Sequence, residues 1–291
     1  MMQITGKTQV LGIIGCPVSH SLSPLMQNDA LCALELDMIY VPFPVSQCDL
    51  GVAVNGLKSL GVLGFNVTIP HKTAIIPFLD RLSDEARLAG AVNTVKREGE
   101  AFVGYNTDGA GFVASLRQDL DFDPNGANIL VLGAGGAARG GIAALCSAGA
   151  SSITIANRSP DKGLEIVQIL DNAYIGMQFA SIPLASEPLA EVLPRVDLLV
   201  NTTSVGMDGT SFAGLDLNLL RKNAVVYDMV YSPPETPLLR ESRAAGLRAA
   251  NGLGMLAGQG EAAFRIWTGQ DPPYGVMRNR LVKEMAARAK K

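Results

Sequence analysis

The segment NILVLGAGGAAR, residues 128–139, constrains this chain more than any other. NILVL reads as a strand, and it runs without a linker into Gly133, Ala134, Gly135, Gly136, Ala137 and Ala138, a G-x-G-x-x-A turn that opens a helical pattern. A strand that turns this tightly into a helix belongs to a βαβ unit, and such units build a doubly wound, mostly parallel sheet. The turn also leaves backbone N–H groups facing outward at a helix start, where a pyrophosphate can be bound. Against this stands a glycine turn that serves only strand-to-helix packing. The next strand, SSITIA, ends in Asn157, Arg158 and Ser159, with Lys162 one turn further. An NAD site puts a carboxylate there to accept the ribose hydroxyls, whereas a guanidinium instead hydrogen-bonds a 2'-phosphate. The residues therefore point to NADP, the alternative being that Arg158 is a solvated residue at a helix start.

Strand-like and helix-like runs alternate through most of the chain. TQVLGIIG, MIYVPFPV and VLGFNVTI read as strands, separated by the helical patterns SPLMQNDALCALEL and DLGVAVNGLKSLG with Ser23 and Asp49 as expected caps. A change of character after Gly104 places a boundary near Thr107: the helix TDGAGFVASLRQDL leads through the turn-forming DFDPNGAN into the second series. That series continues through DLLVNTTS and AVVYDMV to LRAANG, ending near Asn251. The remaining helices, GMLAGQGEAAFRIWTG and VMRNRLVKEMAARAKK, are surplus to a doubly wound sheet and are expected to pack back on the first domain.

The composition supports two buried cores: 291 residues, 48% apolar and 18% charged. A net charge of -3, with basic residues scattered apart from Lys290 and Lys291, gives no footprint for nucleic acid. The amino terminus lacks a secretory pattern, and no apolar run is long enough to span a membrane, so a cytoplasmic protein is expected. Cys16, Cys32, Cys48 and Cys146 form no CxxC pair and lie in apolar segments, which predicts small buried hydrophobes. His20 and His71 lack metal spacing, so no metal site is expected.

FNVTIPHKT, residues 65–73, carries a second kind of signal. Phe65, Val67 and Ile69 share one strand face, Asn66 and Thr68 the other, and Lys72 follows a proline that ends the ladder. Ser21 and Ser23 in CPVSHSLSP bring hydroxyls to a helix start, where a small carboxylate can be held; a plain cap needs only one of them. GAVNTV adds Asn93, and GYNTDG adds Asn106, Thr107 and Asp108 at the expected domain boundary. A cleft between two domains is a usual meeting place for substrate and cofactor. Together these groups suit a small, carboxylated, polyhydroxylated molecule.

The ordered motifs SHSLSP, NVTIPHK, GAVNT, NTDG, GAGGAAR, NRS, NTTSVGM, YDMVYSPPETPLL and GMLAGQ resemble the shikimate dehydrogenase family, over about Gly12 to Gly269. The resemblance implies NADPH-dependent reduction of 3-dehydroshikimate to shikimate by an α/β protein. Its N-terminal mixed-sheet substrate domain would span 1–107, completed by 252–291, and a Rossmann-like NADP-binding domain would span 108–251, with the C-terminal helices returning to the first. Carried over by motif, Lys72 is the catalytic residue and Asp108 its partner, either orienting it or also moving protons. Ser21, Ser23 and Tyr231 would hold the substrate carboxylate, and Asn66, Thr68, Asn93, Asp108 and Gln259 the ring hydroxyls. Gly133, Ala134, Gly135, Gly136, Ala137, Asn157, Arg158, Ser159 and Lys162 would hold the cofactor, with Met229 and Gly252 near its nicotinamide end. Lys162 stands where some members have arginine. A quinate or quinate/shikimate dehydrogenase, and a non-catalytic NADPH sensor, are the competing readings; a monomer or homodimer is expected.

Overall fold

The computed structural model describes residues 4–288, so Lys290 and Lys291 lie outside the described residues. The chain divides into two compact units, 1–111 with 257–291, and 112–256. The crossings fall at Gly111 and Leu256, rather than at Thr107 and Asn251, because each lies inside a helix that runs on without a break.

The first unit opens with β1 (Gln9–Gly15), α1 (Ser23–Ala33), β2 (Met38–Pro44), α2 (Leu50–Ser59) and β3 (Gly64–Val67). It continues with β4 (Arg81–Leu82), α3 (Asp84–Ala89), β5 (Thr94–Glu98) and β6 (Ala101–Tyr105). The sheet order is β2-β1-β3-β5-β6-β4. β1 pairs parallel with β2 and β3, whereas β5 pairs antiparallel with β3 and β6, so the sheet is mixed. The β5–β6 hairpin and the short β4 were not legible in the sequence. Glu98 and Ala101 are the last paired residues, and Gly99 takes a left-handed φ of +61° in the tight turn between them.

Phe65 and Val67 point into a core with Ile14, Val95 and Phe102, packed under α2. Ile69 does not join them: β3 stops at Val67, the Ile69–Pro70 peptide is cis, and Ile69 is 72% exposed. The expected caps also differ. Ser23 is the first residue of α1 rather than its cap, and its N–H is taken by the Ser21 hydroxyl at 3.2 Å. Asp49 precedes α2 without a side-chain cap bond, because its carboxylate accepts from the Ser46 hydroxyl instead.

α4 (Asp108–Leu120) leads into the second unit. There follow β7 (Asn128–Leu132), α5 (Gly136–Ser147), β8 (Ser152–Asn157), α6 (Pro160–Ala173), β9 (Gln178–Pro183), α7 (Ser186–Val192), β10 (Leu198–Asn201), β11 (Val225–Asp228), α8 (Pro237–Ala244) and β12 (Arg248–Asn251). All the pairs are parallel in the order β12-β11-β10-β7-β8-β9, so the order reverses between β7 and β10. One face, with Ile129, Val131, Ile153 and Val200, packs on α4, α5 and α6. The other, with Leu130, Leu132, Leu199 and Val226, packs on α7 and α8. Apolar residues thus occupy both faces of each central strand, as a doubly wound sheet requires.

α9 (Leu253–Thr268) and α10 (Val276–Arg288) complete the first unit, as expected for the surplus helices. Gln27 in α1 donates to the Gly260 carbonyl, and Trp267 donates through Nε1 to the Val95 carbonyl at 2.9 Å. Among the described residues no helix is long and apolar enough to cross a membrane. The cysteine expectation is corrected at three positions. Cys16 follows the end of β1, Cys32 lies in the last turn of α1 and Cys48 in the turn before α2, and all three are exposed. Only Cys146 is buried, which pushes its thiol up to about 12.

Gly64 has no room for a side chain: a Cβ there would lie 2.4 Å from Trp267 Nε1 and 2.6 Å from the Val95 carbonyl oxygen. Gly64→Ala should destabilise the first unit by about 1–3 kcal/mol, the usual penalty for overpacking. The single tryptophan of the chain is the neighbour concerned, so urea unfolding followed by Trp267 fluorescence reads the effect directly. An unchanged midpoint would show that α9 yields freely at this contact.

Candidate active site

Lys72 is carried by the turn that follows β3. Thr68 N–H donates to Ile14 O, His71 N–H to Thr68 O and Ile75 N–H to His71 O, so the turn winds tightly from the sheet edge. His71, fully buried beside Lys72, donates through Nε2 to the Val45 carbonyl at 2.7 Å and ties the turn to the end of β2. The Lys72 carbonyl accepts from Val92 N–H at 2.7 Å. The ammonium of Lys72 then meets Asp108 Oδ2 at 2.6 Å, with the two side chains 34% and 24% exposed. An ion pair at this depth is only partly desolvated, so both groups stay reachable by a ligand.

Asp108 opens α4, and its second oxygen, Oδ1, accepts from Asn93 Nδ2 at 2.8 Å. Its own N–H is taken by the Asn106 side chain. Asn93 and Asn66 are each only 3% exposed. Asn66 gives its two amide hydrogens to the Asn93 carbonyl and Thr94 Oγ1, and its oxygen accepts from Tyr40. Ser23 is buried, Ser21 and Thr68 are half-buried, and Gln259 lies on α9 with its carbonyl accepting from the Thr107 hydroxyl. Ser21, Ser23, Asn66, Thr68, Lys72, Asn93, Asp108 and Gln259 are thus all in the first unit; Tyr231 is in the second.

In the second unit the glycine turn stands at the point where the strand order reverses, the usual ligand crevice of such a sheet. Gly133 has a φ of +107°, and a Cβ on it would come within 2.7 Å of Thr203 and 2.8 Å of Thr202. Glycine is required there twice over, for conformation and for close approach. A Cβ at Gly135 or Gly136 would meet nothing within 4 Å, and α5 begins at Gly136 with no side-chain cap. Its first-turn N–H groups therefore face open space, a cradle suited to phosphate. Arg158 and Lys162 are exposed beyond β8, and neither side chain has an ion-pair or hydrogen-bond partner among the described residues. Half-buried Asn157 turns its amide to the Ser159 carbonyl and shapes the loop. These residues fit a dinucleotide carrying an added phosphate.

Three family models match successive parts of this frame. They are the shikimate dehydrogenase substrate binding domain over residues 13–95, shikimate / quinate 5-dehydrogenase over 116–206, and the shikimate 5'-dehydrogenase C-terminal domain over 252–282. A shikimate dehydrogenase (NADP(+)) of Geobacter metallireducens is 61% identical over 281 residues, 97% of this chain and 98% of the relative. The chain belongs to the shikimate dehydrogenase family. Among solved structures, shikimate 5-dehydrogenase of Listeria monocytogenes in complex with shikimate and NAD superposes with a TM-score of 0.90 at 34% identity, covering 97% of this chain and 99% of that one. The Thermus thermophilus enzyme in complex with NADP(H) and shikimate gives 0.82 at 35% identity, covering 94% and 99%.

Family motifs alone did not single out the residues that hold these loops. Asn201 and Asp228 end the neighbouring strands β10 and β11 in register, and both are fully buried. Asp228 accepts from Asn201 Nδ2, from Val230 N–H and, at 2.6 Å, from the Thr236 hydroxyl, which closes the loop bearing Met229 and Tyr231. Asn201 Oδ1 accepts from the N–H and hydroxyl of Thr203, which closes the loop against Gly133. Gly252 packs on the Met229 backbone, where a Cβ would sit 2.2 Å from its carbonyl oxygen. The available signal was a polar residue ending each apolar strand, LLVN and VVYD.

Burial raises the Asp228 carboxyl above the ordinary aspartate range, and the bonds from Thr236, Val230 and Asn201 only partly oppose it. A carboxyl whose folded pKa is raised gives its full stability below the unfolded pKa and loses it as pH rises through the folded pKa. Asp228→Asn keeps the shape without the charge. Its unfolding free energy should therefore gain on wild type as pH rises from about 4 toward neutrality, read by denaturant titrations across that range. A difference that does not vary with pH would show that the buried charge is fully compensated.

Proposed function

We propose that this chain is an NADPH-dependent shikimate dehydrogenase that reduces 3-dehydroshikimate reversibly to shikimate, with the first unit as the substrate domain and the second as the NADP-binding domain. The observation that carries the reading is the Lys72–Asp108 pair at 2.6 Å, partly buried and braced by Asn93. Reducing a ring ketone requires a hydride at carbon and a proton at oxygen. Bound NADPH supplies the hydride. Lys72 gives the proton to the developing alkoxide and takes it back in the oxidation, a task for a group within hydrogen-bond reach of that oxygen. Asp108 holds the Lys72 ammonium through Oδ2 and leaves its other hydrogens for the substrate.

Ser21 and Ser23 at the start of α1 hold the substrate carboxylate. Thr68, whose hydroxyl has no protein partner among the described residues, receives a ring hydroxyl beside Lys72. Asn66, Asn93, Asp108 and Gln259 complete the ring contacts. Gly133, Ala134, Gly135, Gly136 and Ala137 hold the pyrophosphate on the first turn of α5, and Asn157, Arg158, Ser159 and Lys162 take the adenosine end. Met229 and Gly252 flank the nicotinamide.

Two measurements test the assignments. Lys72→Ala should lower single-turnover hydride transfer by roughly 10² to 10⁴ fold at saturating substrate and NADPH, the usual worth of a general acid or base, with a much smaller loss of shikimate affinity. A rate near wild type would make Lys72 a bystander. Arg158→Ala should weaken NADP about tenfold or more while leaving NAD nearly unchanged, because the guanidinium addresses only the added phosphate. Equal losses for the two cofactors in steady-state kinetics would remove the argument for NADP selection at this residue.

A further inference from the structure

We propose that Thr94 and Tyr40 are positioning residues whose hydroxyls join Asn66 and Asn93, with a polarity set by backbone groups, into one directed run of hydrogen bonds from the Tyr40 phenol to the Asp108 carboxylate. They thereby hold Asn66 and Asn93 in the orientation that the backbone selects. The proposal rests on the roles given above to Lys72, Asp108, Asn66 and Asn93.

The sheet puts the parts side by side. Asn66 on β3 pairs directly with Thr94 on β5, and Ile13, which pairs with Asn66, shares its face with Leu11, the partner of Tyr40 on β2. Tyr40, Asn66 and Thr94 therefore project to one face of the sheet. Tyr40 and Thr94 are essentially without exposure. Water does not reach them, so each bond must be closed by protein.

Backbone groups, which cannot exchange donor for acceptor, set the polarity. The Asn93 carbonyl only accepts, so the atom of Asn66 that faces it at 3.0 Å is Nδ2. Asn66 Oδ1 is then the atom facing Tyr40, whose hydroxyl must donate to it, at 2.6 Å. The second hydrogen on Asn66 Nδ2 goes to Thr94 Oγ1 at 3.0 Å. At the far end, Thr107 N–H only donates, so the atom of Asn93 that it meets at 2.9 Å is Oδ1. Thr94, already an acceptor from Asn66, donates its one hydrogen to that same Oδ1 at 3.0 Å. Asn93 Nδ2 is left to face Thr107 Oγ1 at 3.0 Å and Asp108 Oδ1 at 2.8 Å. Thr107 in turn spends its hydrogen on the Gln259 carbonyl.

The result is a chain with a single direction, Tyr40 to Asn66 to Thr94 to Asn93 to Asp108, in which each donor also strengthens the next. Two consequences follow for a bound ring. Asn66 can offer it only an acceptor, so the ring must bring a hydroxyl hydrogen there. Asp108 Oδ1 takes Asn93, and Oδ2 serves Lys72. Thr94 is the one link whose hydroxyl must both accept and donate, and valine has its shape without that ability.

The test is steady-state kinetics of Thr94→Val, Thr94→Ser and Tyr40→Phe, with melting temperatures and with Lys72→Ala run alongside. Thr94→Val should lower kcat and raise the shikimate KM, each by about tenfold, while the NADP KM stays within about twofold. Thr94→Ser should restore both parameters, and Tyr40→Phe should raise the shikimate KM more than it lowers kcat. A role confined to packing predicts a lower melting temperature, unaltered kinetics and no rescue by serine. The proposal is overturned if folded Thr94→Val keeps wild-type kcat and shikimate KM, or if Thr94→Ser is as impaired as Thr94→Val. Should Thr94→Val fail to fold, wild-type shikimate KM in Tyr40→Phe overturns it equally. Wild-type kcat in Lys72→Ala would instead remove the catalytic assignment beneath it, a separate failure.

Discussion

The first unit depends on a reversal of strand direction inside its sheet. β3 runs parallel to β1, but β5 runs antiparallel to β3, and β6 antiparallel to β5. The end of β3, the start of β5 and the end of β6 therefore lie at one edge, which an all-parallel sheet could not arrange. Val92 and Asn93 are the junction: Val67 N–H donates to Asn93 O, Asn93 N–H to Tyr105 O, and Val92 N–H to Lys72 O. Lys72 just after β3, Asn93 just before β5 and Asp108 just after β6 converge because their strands are ordered so. Rigid backbone ties at the root of each loop hold the reactive groups to the precision that acid–base chemistry needs.

The second unit meets a different constraint. Its strands all end at the same edge, so loops from β7, β10 and β11 crowd together, and their backbone polar groups need partners away from water. Asn201 and Asp228 supply them from within the sheet. Burying a carboxylate there disfavours its charged form, and the donors that partly compensate it also close the loop bearing Met229. Two buried polar networks, one per unit, thus convert strand ends into defined loops.

Most of this frame was legible because its signals are local. NILVLGAGG announces a strand, a turn and a helix within a dozen residues, and the positions of Gly133 and Arg158 follow from it. Lys72 and Asp108 were legible as motif residues. What was missed depends on contacts distant in sequence. The β5–β6 hairpin is masked by the half-buried charged residues Lys96, Arg97 and Glu98, in strands too short to show a clear period. Ile69 reads as core from alternation alone, but the strand stops two residues earlier. Cys16, Cys32 and Cys48 lie in apolar stretches yet fall at element ends, where burial is decided by tertiary packing. Thr94 and Tyr40 look like ordinary strand residues until the register of three strands sets them against Asn66.

The second unit is one unbroken stretch, 112–256, set inside a first unit whose pieces come from both sides of it. During synthesis the inner unit is complete at Leu256, before the rest of α9 and the whole of α10 leave the ribosome. The outer one is not. Until then β5 lacks the indole of Trp267 against its Val95 carbonyl, a partner 172 residues further along the chain. The half-built sheet must wait with that face uncovered through the whole translation of its insert, and it is this unit, rather than the doubly wound one, that a nascent-chain chaperone would have reason to shield.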